Sequence, residues 1–383
     1  MTQVQGAETG KLIFSGGPIF DGGRLHTDCE ASFADGRFLG LTAPGEHDAA
    51  KRIDLEGDIL STGYVDLQVN GGGGLMVNDL RSATDLGRIA EAHRRQGTLH
   101  ILPTLITDTP QRSRTVIGLV IEACRDKVPG IAGLHLEGPH LDPARKGAHD
   151  GNLIRTMTDE DLQELIAART ALPALMLTVA SEAVTLEQVA ALAEAGVLVS
   201  LGHTNADFDT AKRYFAAGAR SSTHLFNAMS GFGHRAPGVV GATLENGDVA
   251  AGLIADGIHV HRATMGAAWR AKKGRGDFYL VSDAMAVAGT RETGFALQGR
   301  QILRRNGRLT LPDGTLAGAD LDLTTALKVM VEEVGVDLGD ALRAATTTPA
   351  NLISLPNGLV AGETPVTSLI RIKSDLSSAA PLV

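Results

Sequence analysis

From about residue 62 onward, short apolar runs recur at a regular beat with helical patterns between them, and few folds are open to a chain patterned this way. Eight runs read as strands: Tyr64 to Val69, His100 to Leu105, Ile131 to Leu136, Leu175 to Val179, Val197 to Leu201, Ser221 to Leu225, Val249 to Ile254 and Phe278 to Val281. Ser82 to Gln96 carries Leu86, Ile89 and Ala90 at helical spacing before Gly97, which acts as a stop. Pro110 to Cys124 opens with proline just after Thr109, and Leu186 to Ala195 ends at Gly196. Runs such as Ile131-Ala132-Gly133-Leu134 lack polar alternation, as strands covered on both faces do. The pattern predicts an α/β fold, a TIM-like (β/α)8 barrel over residues 61–345.

The two ends read differently. Gly22-Gly23 and Asp35-Gly36 punctuate short β-like runs at hairpin spacing, and beyond Pro349 the runs Leu359-Val360 and Leu369 to Ile372 are separated by Gly362 and Pro365. Residues 1–60 and 346–383 are expected to build one small β-sandwich domain beside the barrel.

A chain of 383 residues that is 43% hydrophobic can bury a large core, and its formal charge of −9 argues against a nucleic-acid surface. Cys29 and Cys124 stand too far apart in sequence to suggest a disulfide framework or a paired-cysteine zinc site, and read as free thiols of a reducing cytoplasm. No secretory leader is read at the N-terminus, and Ala171 to Ala180 is too short and Pro-interrupted to cross a bilayer, so no membrane partner is expected.

In barrel enzymes the working residues sit at the C-terminal ends of strands and on the loops that follow. Glu137 ends strand 3, His203 strand 5, His224 strand 6 and Asp283 strand 8. One carboxylate and two imidazoles at about 2.0–2.2 Å would hold a catalytic divalent ion, one per subunit, Zn²⁺ first and Fe²⁺ second, with a fourth position open for water. Such an ion lowers the pKa of its water toward ~7 and polarises a carbonyl. Asp283, facing it, is placed to accept the water's proton and return it to a departing amine, which is amide hydrolysis.

Further groups suit an anionic ligand. Backbone N–H groups at Asn227 and Ala228 follow His224, Arg235 lies in a Gly/Pro-rich loop, and Lys146 with His149 belongs to a segment able to cover the site. His259 follows the Asp256-Gly257 turn at the end of strand 7 as a substrate contact. His135 shares a strand face with Glu137 and is expected behind the ligands; His100 reads as core; His26, His47 and His93 read as solvent-facing.

Five segments carry a family likeness: Gly133-x-His135-x-Glu137-Gly138-Pro139, Leu201-Gly202-His203-x-Asn205-Ala206, Thr223-His224-Leu225-x-Asn227-Ala228-Met229, Asp256-Gly257-x-His259-Val260 and Ser282-Asp283-Ala284. In order and over most of the chain, they resemble the N-acetylglucosamine-6-phosphate deacetylases of the amidohydrolase superfamily. The resemblance implies a metal-dependent barrel with a two-ended β-sandwich, and loss of acetate from an N-acetylated amino sugar phosphate. It implies Glu137, His203 and His224 as metal ligands, Asp283 as the acid/base, and His149 and His259 against the sugar or its acetamido group. Asn227 and Ala228 would hold the phosphate, and Arg235 would reach the site of a neighbouring subunit, which implies a homodimer. The first strand departs from many relatives: Gln68 and Asn70 stand where a His-x-His pair is common. Neutral amides are weak zinc ligands, so a single tightly held metal is expected.

Overall fold

The structure, a computed structural model, describes residues 10–45, 51–274 and 276–382. His47 lies outside them. Eight parallel strands form one sheet whose order follows the chain. They are β1 (Tyr64–Val69), β2 (Thr98–Ile106), β3 (Leu134–Glu137), β4 (Leu175–Val179), β5 (Leu198–Leu201), β6 (Ser221–Ser222), β7 (Ala250–Leu253) and β8 (Phe278–Leu280). A parallel bridge between Val69 and Ala284, just past β8, closes the ring and brings β1 beside the end of the last strand.

The intervening helices are α1 (Ala83–Arg94), α2 (Pro110–Arg125), α3 (Asp159–Ala171), α4 (Leu186–Glu194), α5 (Phe208–Ala216), α6 (Gly238–Glu245) and α7 (Arg262–Ala271). Their starts are set by local chemistry. Thr109 Oγ1 accepts from Arg112 N ahead of Pro110, and Thr185 forms a reciprocal capping box with Gln188. Strands and helices meet in one core that includes Leu67, Leu134, Leu177, Val199, Leu253 and Leu280, all buried. Truncating a leucine there to alanine costs about 2–5 kcal/mol.

Five of the eight expected strands are shorter than their apolar runs, and for β3 and β6 the cause is visible. Gly133 adopts φ +150°, and a Cβ there would sit 2.2 Å from the Ala174 carbonyl oxygen, so β3 begins only at Leu134. β6 stops at Ser222 because the chain turns sharply through His224, at φ +30°. Among the histidines, His93 departs from expectation: it is buried, with Nε2 2.9 Å from the Gly71 carbonyl oxygen, because α1 turns that face onto the β1 loop. His100 sits in β2 half-buried rather than in the core. His26 is half-buried against Asp21.

Beyond β8 lies an element the sequence reading did not anticipate. The antiparallel strands β9 (Gly294–Leu297), β10 (Arg300–Arg305), β11 (Arg308–Thr310) and β12 (Leu316–Ala319) form a meander over the mouth of the barrel, on a small core of Met76, Ile106, Met285, Leu297, Ile302 and Leu309. Helices α8 (Leu323–Lys328), α9 (Leu338–Ala345) and α10 (Thr347–Leu352) follow, with Ala341 and Ala350 in the barrel core.

Two further sheets are present: one of strands between residues 11 and 54, and one shared by both ends of the chain. Leu369–Ile372 pairs antiparallel with Ile59–Thr62, so the C-terminal segment completes a sheet begun by the N-terminal one. Phe14, Phe33, Leu60 and Leu369 are buried between the layers, and Phe14 meets Phe33 edge-on with ring centroids 5.5 Å apart. Asp58 fastens the two ends, accepting from Arg371, from Lys373 Nζ at 2.9 Å and from Ser374 N at 3.1 Å. Cys29 and Cys124 are free thiols. Among the described residues no helix is long and apolar enough to cross a membrane.

Candidate metal centre

The side chains that end β3, β5 and β6 converge. Glu137 Oε1 lies 3.0 Å from His224 Nε2 and 3.3 Å from His203 Nε2, and the two imidazole nitrogens are 3.1 Å apart. All three residues are buried. His203, His224 and Asp283 each sit at positive φ (+49°, +30° and +49°), a region that costs a side-chain-bearing residue energy and is held only where the surroundings require it.

The triangle has the dimensions of a cation site. Donors at 2.0–2.2 Å around a tetrahedral ion stand roughly 3.3–3.6 Å apart, so the residues need to open by only a few tenths of an ångström. Their protonation also fits. His203 Nδ1 lies 2.7 Å from the Arg145 carbonyl oxygen, which can only accept, so the proton is on Nδ1 and Nε2 presents its lone pair. Burial alone would raise the Glu137 carboxyl, but the neighbouring His203 and His224 hold it well below its usual range. Two facing imidazole nitrogens and an ionised carboxylate suit a divalent ion.

His149 joins the cluster in a different way. Donor atoms of Glu137, His149 and His203 lie within 4.8 Å of one another, and His149 Nε2 is 3.8 Å from Glu137 Oε2. The Thr107 N–H points at His149 Nδ1 from 3.3 Å, with Thr107 Oγ1 2.8 Å from the same nitrogen. A backbone N–H can only donate, so Nδ1 accepts and the proton sits on Nε2. Burial first, and then the neighbouring His203, push its pKa down to about 3. His149 therefore presents a neutral N–H to the site; the tighter triangle is that of Glu137, His203 and His224.

Asp283 faces the triangle. Its Oδ1 accepts from Asn70 Nδ2 at 2.7 Å and from Gln68 Nε2 at 3.2 Å, and the same Gln68 amide donates to Glu137 Oε1 at 3.2 Å. Burial and the nearby Glu137 push the Asp283 pKa up to about 6. One position below on the same face of β1, Asp66 accepts from Ser282 N at 3.1 Å and from Gln68 N at 3.0 Å, tying the first strand to the backbone beside Asp283. The Asp66–Gln68–Asn70 series was legible as a two-residue alternation facing inward, but its partners across the barrel seam were not. His135 lies beneath Glu137, with Nε2 2.8 Å from Thr178 Oγ1.

The outer residues are less gathered. His259 Nδ1 pairs with Asp256 Oδ2 at 2.6 Å, both side chains nearly buried, near enough to Asp283 to act on its charge. The Asn227 N–H is spent on the His224 carbonyl at 2.9 Å and its side-chain amide folds back on His224 and Leu225. Ala228 takes φ +49° at the end of the same turn. Arg235 is exposed on the loop that also carries Phe232, which is 66% exposed, and is not drawn into the cluster. Lys146 is exposed on the segment leading to His149.

The family model described as the amidohydrolase family matches residues 59–362. An N-acetylgalactosamine-6-phosphate deacetylase of Shewanella sp. (strain ANA-3) is 39% identical over 348 residues, covering 90% of this chain and 88% of that protein. An N-acetylglucosamine-6-phosphate deacetylase of Haemophilus influenzae is 35% identical over 313 residues, covering 81% of each. The crystal structure of N-acetylglucosamine-6-phosphate deacetylase from Pasteurella multocida superposes with a TM-score of 0.90 at 30% identity, covering 97% of this chain and 98% of that one.

Proposed function

This chain belongs to the amidohydrolase family, and we propose that it removes acetate from N-acetyl-D-glucosamine 6-phosphate to give D-glucosamine 6-phosphate. The observation that carries the reading is the 3.0–3.3 Å triangle of Glu137, His203 and His224 with Asp283 opposite it.

Glu137, His203 and His224 would hold one divalent ion, Zn²⁺ first and Fe²⁺ as the alternative. When bound, it would activate a water and polarise the acetamido carbonyl. Asp283 would serve as the acid/base, accepting a proton from the attacking water and returning it to the leaving amine. Its Oδ1 is anchored by Asn70 and Gln68, which leaves Oδ2 for the transfer, and a pKa of about 6 suits a group that must gain and lose a proton near neutrality. His149 Nε2–H donates to the acetamido oxygen, where negative charge develops. Gln68, bridging Glu137 and Asp283, keeps the acid/base at a set distance from the ligands.

Ala228, Asn227 and His259 are assigned to the sugar phosphate, and Arg235, exposed beside Phe232, to the phosphate in a second copy's site, in a homodimer. A second reading is the galactosamine epimer, favoured by the 39% identity to the Shewanella deacetylase of N-acetylgalactosamine 6-phosphate. Acetate release from both phosphorylated epimers and from unphosphorylated N-acetylglucosamine, with and without chelator, separates the readings by kcat/KM. Release from neither phosphorylated sugar by metal-loaded protein would overturn both.

A further inference from the structure

We propose that the β10–β11 hairpin tip carries an anion site at the mouth of the barrel, built by Arg305 and Arg308, which captures the phosphoryl group of the sugar phosphate before it enters the metal centre. The proposal rests on the phosphorylated substrate assigned above. It is separate from the phosphate seat given to Asn227, Ala228 and Arg235.

The tip is the two-residue turn Asn306-Gly307, at φ +51° and +71°, the positive-φ turn that matches the twist of a tight hairpin. It places Arg305 directly opposite Arg308 in the ladder. Residues opposed in this way have Cα atoms about 4.5–5.5 Å apart, and like charges there repel. The neighbouring Arg304 is neutralised by Asp320 at 2.8 Å, whereas Arg305 and Arg308 have no carboxylate partner among the described residues. Two adjacent guanidinium groups without a counter-charge are a ready receptor for a phosphate dianion.

The surroundings give this pair a place to hold a ligand. Arg305, Asn306, Arg308 and Thr310 line an open depression of about 490 Å³ together with Ile258, which immediately precedes His259. The connection to the reaction site runs through the sheet. Arg308 faces Ala319 of β12, and the Ala319 N–H donates to the Asp283 carbonyl at 2.9 Å. Two inter-strand steps of about 4.8 Å put the Arg308 backbone roughly 10 Å from that of Asp283, about one Debye length at 0.1 M salt. The chain as a whole carries −9, so an incoming dianion is repelled by the molecule at large and finds local attraction at this tip.

The test uses the metal-loaded holoenzyme and the double variants R305S/R308S and R305K/R308K. Line broadening of glucose 6-phosphate in ³¹P NMR, at low ionic strength, should report two classes of site in the parent and one in R305S/R308S. R305K/R308K, keeping charge without the fork, should fall between. Inorganic phosphate run beside it shows whether the phosphoryl group alone is recognised. In turnover, R305S/R308S should lower kcat/KM for the phosphorylated substrate about 3- to 10-fold at low salt with kcat unchanged, and the gap should close as salt rises. Identical binding classes and identical salt dependence in parent and R305S/R308S would overturn the proposal. Because the NMR arm needs no turnover, failure of the deacetylase reading would show separately, as absent acetate release.

Discussion

Thr107→Val is the most informative single change, because it removes a contact to His149 without replacing a ligand side chain, at the cost of a long 3.5 Å contact from the same hydroxyl to the Glu137 carbonyl. Thr107 Oγ1 lies 2.8 Å from His149 Nδ1, and with the backbone N–H at 3.3 Å it keeps the His149 proton on Nε2. Valine has nearly the same shape, so no cavity opens, but the shorter of the two contacts to a buried nitrogen disappears. Losing one buried hydrogen bond and leaving its acceptor poorly met costs about 1–2 kcal/mol. That energy is withdrawn from the Nε2–H tautomer, and only the longer 3.3 Å backbone N–H contact is left to hold Nε2–H toward the acetamido oxygen. At about 1.4 kcal/mol per tenfold, kcat should fall roughly 5- to 30-fold. Initial-rate acetate release gives kcat and KM, and elemental analysis gives metal content. Metal should stay at the parent level, and Thr107→Ser should restore most of the rate. Turnover within twofold of the parent at full metal occupancy would refute the tautomer argument, and metal loss would show instead that Thr107 acts through Glu137.

Other expectations follow from the same geometry. Asp283→Asn should retain metal and lower kcat by about 10²–10⁴-fold, and near-normal turnover would remove its acid/base role. His203→Ala should lose most bound metal, read by elemental analysis after desalting; full retention would require another ligand set. For Asp58, burial alone would raise the pKa, but Lys373 and Arg371 outweigh it and lower the pKa below its ordinary value. A depressed carboxylate contributes stability above the unfolded value of about 3.9, lost as pH falls through the folded value. Thermal melts of Asp58→Asn should therefore show a lower Tm than the parent at pH 6 and a smaller drop on acidification to pH 3; parallel curves would discard the linkage.

Much of this protein was legible before its fold. The strand and helix beat, the helix start at Thr109-Pro110, the stop at Gly196, and the placement of Glu137, His203, His224 and Asp283 at strand ends are local properties, carried by side-chain period and turn chemistry within a few residues. The tertiary structure alone decided which donors meet. Gln68 and Asn70 read in sequence as missing ligands, and become donors to Asp283 because the Val69–Ala284 bridge closes the barrel and lays strand 1 against the end of strand 8. His93 looked like a surface residue of a helix until the β1 loop packed on it, and the meander, whose Asn306-Gly307 turn marks a hairpin in sequence, gains its place only from the core it shares with Met76, Ile106 and Met285. The physical division is one of range: spacing along the chain sets what each segment can be, whereas tautomers, pKa shifts and cross-barrel hydrogen bonds depend on neighbours that only closure of the sheet supplies.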